Sequence, residues 1–198
     1  MLPQQLIPVF MKTLGLIGGI GPESTVEYYH LLIDGYRERA DGTYPSIIIN
    51  SVDLKRLLAW MAVNELDKVA DYLSVEIDKL ARAGVDFAAL ASNTPHIVFD
   101  ELQSRSSLPL VSIVEAACRK VKALGLKTVG LFGTRYTMRA EFYPQVFARA
   151  GLTLVTPSVD EQSFIHDKYM TELLNNKFLP ETREQILVIA DEMKRRNG

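Results

Sequence analysis

Cysteine is almost missing from this chain: Cys118 is the one thiol among 198 residues. A lone cysteine excludes an internal disulfide framework, and no CxxC or Cys/His spacing offers a zinc site. The pattern points to a reducing, cytoplasmic compartment. An excess of charge of either sign is also lacking, since the formal net charge is -2 and the longest basic run is "MKRR" near the end. Nucleic acid and anionic membrane surfaces are therefore poor partners, and a small metabolite is the better one. Nor does any stretch approach the ~18 consecutive apolar residues of a spanning helix. The opening "MLPQQLIPVF" has no basic start, long apolar centre or small-residue cleavage site, so it reads as an extension over residues 1–11 and not as a signal peptide.

What is present is apolar side chain in quantity, 47% of the residues, enough for a sizeable core. Thr13 to Ile17 reads as a buried strand, followed by the glycine turn "GGIGPEST" and a helix from about Glu23 to Arg39. "SIIINSV" is a second strand. Val69, Leu73, Ile77 and Leu80 share one face of a helix predicted over Glu65 to Ala83, and "VDFAALA" is a third strand. Pro95 to Leu102 reads as helical, "LPLVSI" as a short strand, and "VEAACRKVKALG" as a helix. The segment "KTVGLFGT" then repeats the opening pattern of apolar strand, glycine and hydroxyl. Helices over "EFYPQVFARAG", "DEQSFIHDKYMTELLNNK" and "PETREQILVIADEMKRRNG", with the strand "LTLVTP", complete the alternation. This predicts an α/β protein with mainly parallel sheets and helices on both faces, arranged as two similar lobes. The lobes are expected over 12–115 and 116–198, the second lacking a final strand.

Ligands of parallel sheets bind beyond the carboxyl ends of the strands, which directs attention to three loops. Gly18 to Ser24 lacks the GxGxxG and GK[ST] fingerprints of nucleotide sites, and is either an anion-approachable turn or simply a tight one. Ser92, Asn93 and Thr94 in "SNTPH" are donors suited to a carboxylate or to ordinary helix capping. His96 is an acid/base candidate or a packing residue. Thr134, Tyr136 and Thr137 repeat the hydroxyl theme in "GTRYTM", with Arg135 beside them. Cys118, among alanines in a helix, reads as a small buried hydrophobe. Lys168 faces either a carboxylate or solvent.

Taken in order, "GLIGGIGPEST", "SNTPHIVFDEL", "LPLVSIVEA", "VGLFGTRYTM", "FYPQVF" and "EQSFIHDKYMTELL" resemble the aspartate/glutamate racemase family from about Lys12 to Lys194. The resemblance implies an active site in the cleft between two lobes, with neither pyridoxal phosphate nor metal as cofactor. One thiolate removes the Cα proton and a second thiol returns one from the other face. Ser92 occupies the position of the first catalytic cysteine, and a hydroxyl is a weak base unless activated, so uneven acid/base groups are implied. The second cysteine belongs to a "GCTE"-like turn expected beyond Gly198. Asn93, Thr94 and Thr134 match positions suited to the α-carboxylate, with Tyr136 and Thr137 as nearby substrate contacts. Lys168 matches a position used toward a side-chain carboxylate, which favours aspartate or glutamate as substrate. Relatives are often homodimers. Two other readings stay open: a non-catalytic or truncated amino-acid-binding paralogue, and a single-cysteine decarboxylase or isomerase of a related diacid.

Overall fold

The structure, a computed structural model, describes residues 12–39 and 43–197. The expected extension over residues 1–11 and the chain's last residue lie outside the described residues. Strand β1 (Thr13–Gly18) leads into helix α1 (Pro22–Arg37) and parallel strand β2 (Ser46–Ser51). Helices α2 (Leu54–Ala62) and α3 (Leu66–Arg82) follow, then β3 (Phe87–Leu90), a 3-10 turn over Thr94–Val98, α4 (Phe99–Arg105) and β4 (Leu110–Val111). The four strands form one parallel sheet in the order β2-β1-β3-β4, which places β1 and β3 at its centre.

The second half repeats the plan on a smaller scale. Helix α5 (Ile113–Ala123) precedes β5 (Thr128–Gly130), α6 (Arg135–Arg139), α7 (Phe142–Arg149) and β6 (Thr153–Val155). The chain continues through α8 (Val159–Thr171), a 3-10 turn over Leu173–Asn175 and α9 (Pro180–Asn197). Strands β5 and β6 pair in parallel as a separate sheet.

Burial explains why these segments hold. Val69, Leu73, Ile77 and Leu80 of α3 are at most 1% exposed, and they pack with Ile17 and Ala88 of the sheet and Leu57 and Met61 of α2. At about 1.5–3 kcal/mol per buried aliphatic side chain, this one cluster outweighs the intrinsic propensities of its helices. A second cluster joins Val114 and Cys118 of α5 to Tyr143 and Phe147 of α7. Cys118 is thus a buried hydrophobe, as its alanine-rich setting indicates. Met138, Ile165, Ile189 and Met193 make a third, under α8 and α9.

Two details differ from the sequence reading. Helix α2 forms where no helix was expected, because the Asp53 carboxylate caps it by accepting from the Lys55 and Arg56 amides. Trp60 and Met61 on this helix turn inward: Met61 is 5% exposed, and Trp60 stands edge-on to Tyr72. The segment after Ser92 enters its helix through a 3-10 turn rather than directly.

Candidate active site

Three polar loops leave the carboxyl ends of β1, β3 and β5 and meet where the two halves touch. The β1 loop is shaped by Gly19, at φ 84°, where an added Cβ would lie 2.5 Å from the Val52 carbonyl oxygen. Only glycine fits there without moving backbone. The loop is pinned from α1 by Thr25, whose hydroxyl accepts from the Gly19 amide at 2.9 Å.

The β3 loop carries Ser92, half-buried, Asn93, exposed, and Thr94, buried. Helix α6 begins at Thr134, whose hydroxyl caps it by accepting from the Thr137 amide at 3.3 Å. These two loops come together as a triangle of hydroxyls. Thr94 Oγ1 lies 3.0 Å from Thr134 Oγ1 and 3.5 Å from Thr137 Oγ1, and the latter two are 3.2 Å apart. All three threonines are at most 7% exposed, so the hydroxyls satisfy one another away from water. Each hydroxyl hydrogen can rotate, so the cluster can turn its donors toward an anion that enters it.

Asn93 is held from the other half by Tyr143, whose hydroxyl donates to Asn93 Oδ1 at 2.6 Å. Burial pushes the Tyr143 phenol up to about 12, so it remains a donor at neutral pH. The "FYPQVF" motif contains this tyrosine, but nothing in its spacing singles it out. Tyr136 does not join the hydroxyl triangle; its ring stands edge-on to His166 and packs on the first core. The His166 Nδ1 accepts from the Arg135 amide at 3.3 Å, and burial lowers its pKa.

His96 is committed at both nitrogens. Nδ1 lies 2.9 Å from the Ser92 carbonyl oxygen, which can only accept, so Nδ1 carries the proton. Nε2 then accepts from the Ile113 amide at 3.2 Å. The ring is 2% exposed and stacked on Phe99, and burial pushes its pKa down to about 4. It is a neutral pin between the β3 loop and the start of α5, with no free lone pair to activate the Ser92 hydroxyl.

Ser92, Thr94 and Thr134 line part of a cavity of about 20 Å³, room for about one water molecule. The remaining wall is Ile20, Gly21, Leu54, Leu57, Leu58, Met61, Val69, Pro95, Tyr169, Met170 and Leu174. Lys168 does not line it. Its ammonium pairs with the Glu172 carboxylate, which also accepts from the Thr182 hydroxyl at 2.6 Å, and these two bonds hold Glu172 below the usual carboxylate range. Among the described residues no group of three or more His, Cys, Asp or Glu is placed to hold a metal ion. Nor is any described helix long and apolar enough to cross a membrane.

Two parallel α/β units, with a small and mainly apolar cavity bordered by Ser92, Thr94 and Thr134, define a two-lobed α/β protein. The profile of the Asp/Glu/Hydantoin racemase family matches residues 17–198, and the chain belongs to that family. It is 29% identical over 150 residues to the broad specificity amino-acid racemase RacX of Bacillus subtilis (strain 168), a match covering 72% of this chain and 63% of RacX. Among solved structures it resembles PH1733, an aspartate racemase homologue from Pyrococcus horikoshii OT3. The TM-score is 0.77 at 32% identity, covering 94% of this chain and 81% of the other. The aspartate racemase of Picrophilus torridus shares the fold at TM-score 0.76 and 22% identity, over 93% of this chain and 77% of its own.

Proposed function

We propose that this protein is a cofactor-independent amino-acid racemase whose lobes, residues 12–115 and 116–198, hold the substrate's Cα between them. The convergence of Thr94, Thr134 and Thr137 across the lobe junction supports this reading most directly. A substrate α-carboxylate would replace their mutual hydrogen bonds and receive three donors in a site shielded from water. Loss of the Cα proton leaves negative charge that spreads into that carboxylate, so the same donors bind the charge-separated state more tightly than the ground state. Asn93, with its carbonyl oxygen fixed by Tyr143, keeps its amide N–H groups free to add to them.

Ser92 sits beside this cluster, in the position matched to the first catalytic cysteine. As an alcohol it can return a proton to Cα but removes one poorly, and His96 has no lone pair to assist it. Racemisation needs a second acid/base group on the opposite face. In this reading that group is the thiol that the resemblance places beyond Gly198. The family's name supports acidic amino acids as the general substrate class of its members, whereas this chain's own cavity wall carries no cation to receive a second carboxylate. A homodimer belongs to the same proposal; Val26 and Tyr29, one turn apart on α1, are 52% and 43% exposed.

The test is Cα proton exchange. Amino acids incubated with the full chain in D₂O are expected to lose their Cα proton signal and to accumulate the opposite enantiomer on a chiral column. Thr94→Val should reduce exchange by about 10²-fold. Ser92→Ala should lower it by a similar factor, and Ser92→Cys should raise it above the wild-type rate. A second reading, amino-acid binding without turnover, is favoured by the absence of any thiol, carboxylate, imidazole or ammonium from the cavity wall among the described residues. Saturable binding with no exchange on any amino acid would establish that alternative.

A further inference from the structure

Resting on the amino-acid reading above, we infer that the side-chain end of this site takes a neutral, aliphatic or thioether side chain and rejects the carboxylates of aspartate and glutamate. Ser92, Thr94 and Thr134 border the cavity, so a substrate whose carboxylate they hold points its side chain at the rest of the wall. That wall is built by side chains from six separate segments. Ile20 comes from the β1 loop, Leu54, Leu57, Leu58 and Met61 from α2, Val69 from α3, Pro95 from the 3-10 turn after β3, Tyr169 and Met170 from α8, and Leu174 from the 3-10 turn after it.

No charged side chain lines the cavity, and Arg56, Lys168 and Arg135 on the surrounding helices have partners of their own. The Arg56 guanidinium of α2 lies over the Trp60 and Tyr72 rings, 4.9 and 5.1 Å from their centroids. Lys55 is exposed. Lys168 of α8 is neutralised by Glu172, and Arg135 is paired with Asp167 at the surface, 3.6 Å away. The Tyr169 phenol shares a hydrogen bond with Ser24, and its burial keeps it protonated. A second carboxylate entering this end would lose its hydration and gain no cation, a penalty that a methyl or thioether group does not meet. The cavity is small as it stands, with room for about one water molecule. Leu174 seals it against Gly21, where an added Cβ would come within 2.5 Å of Leu174 Cδ2. Opening therefore depends on movement of the half-buried Leu174 turn, and the surface that movement exposes is apolar.

The experiment is calorimetric titration of the full chain with L-leucine, L-methionine, L-aspartate and L-glutamate, with Cα exchange in D₂O followed on the same four compounds. Leucine or methionine is expected to bind at least about 30-fold more tightly than aspartate. Leu174→Lys, a change at a half-buried surface turn, should raise aspartate affinity and lower that of leucine. Leu174→Ala should weaken leucine without helping aspartate. Tighter binding of aspartate or glutamate than of the aliphatic pair by the unaltered protein overturns the inference and leaves racemisation standing. Aliphatic binding without exchange upholds the side-chain assignment and removes the catalysis. No binding and no exchange with any of the four overturns both.

Discussion

At the scale of single residues, His96 makes the stability of the protein depend on pH in a defined window. Its ring is neutral in the folded state because burial lowers its pKa from 6.5 to about 4. The unfolded chain takes up that proton first, so the stabilisation is complete above the unfolded value and is lost as pH falls from 6.5 toward 4. A shift of this size corresponds to about 2–3 kcal/mol by pH 4.5. Urea unfolding of the wild type should therefore show that loss between pH 7.5 and 4.5. His96→Gln, less stable at neutral pH, should have a flatter profile that retains only the smaller contribution of His166, also lowered by burial. The carboxylates of Glu76, Glu161 and Glu172 are held below their ordinary range, so their titration belongs to more acid conditions. A wild type and variant with identical slopes between pH 6.5 and 5 would remove His96 as the titrating pin.

At the scale of elements, the fold was legible wherever a periodic pattern was long enough to repeat. The face of α3 could be read directly, because Val69, Leu73, Ile77 and Leu80 recur at helical spacing and all four are buried. Helix α6 could not, since its five residues make little more than one turn and carry no period. The apolar wall of the cavity was also hidden: its residues are separated by up to ~150 positions of chain between the β1 loop and α8, and only the topology unites them. Glycine positions show the same division between local and tertiary causes. Gly19 and Gly84 have nearly equal φ values, 84° and 83°, but a Cβ on Gly84 meets open space whereas one on Gly19 meets the Val52 carbonyl. Gly84→Ala should therefore cost only the left-handed strain of about 1–2 kcal/mol. Gly19→Ala should cost more than about 2 kcal/mol, because backbone must also move. Equal unfolding midpoints for the two variants would mean that the β1 loop yields freely and does not hold the site's wall in place.

At the scale of the whole molecule, the hydroxyl triangle is a bond between the lobes, and the proposed function makes it the ligand site as well, so that two roles oppose each other. Thr94 belongs to the first sheet's loop and Thr134 to the second's, yet their oxygens are 3.0 Å apart and buried. Without ligand, the pair contributes to lobe association; with an α-carboxylate between them, each hydroxyl must donate to the ligand instead. A double-mutant cycle separates the two states. Thr94→Val and Thr134→Val should show a stabilising coupling of about 0.5–1.5 kcal/mol in the unfolding of the free protein, the range for a buried neutral hydrogen bond. In saturating amino acid the coupling should shrink, because the hydroxyls no longer bond to each other. If the coupling is the same with and without ligand, the carboxylate does not enter between Thr94 and Thr134, and its site lies elsewhere along the cleft.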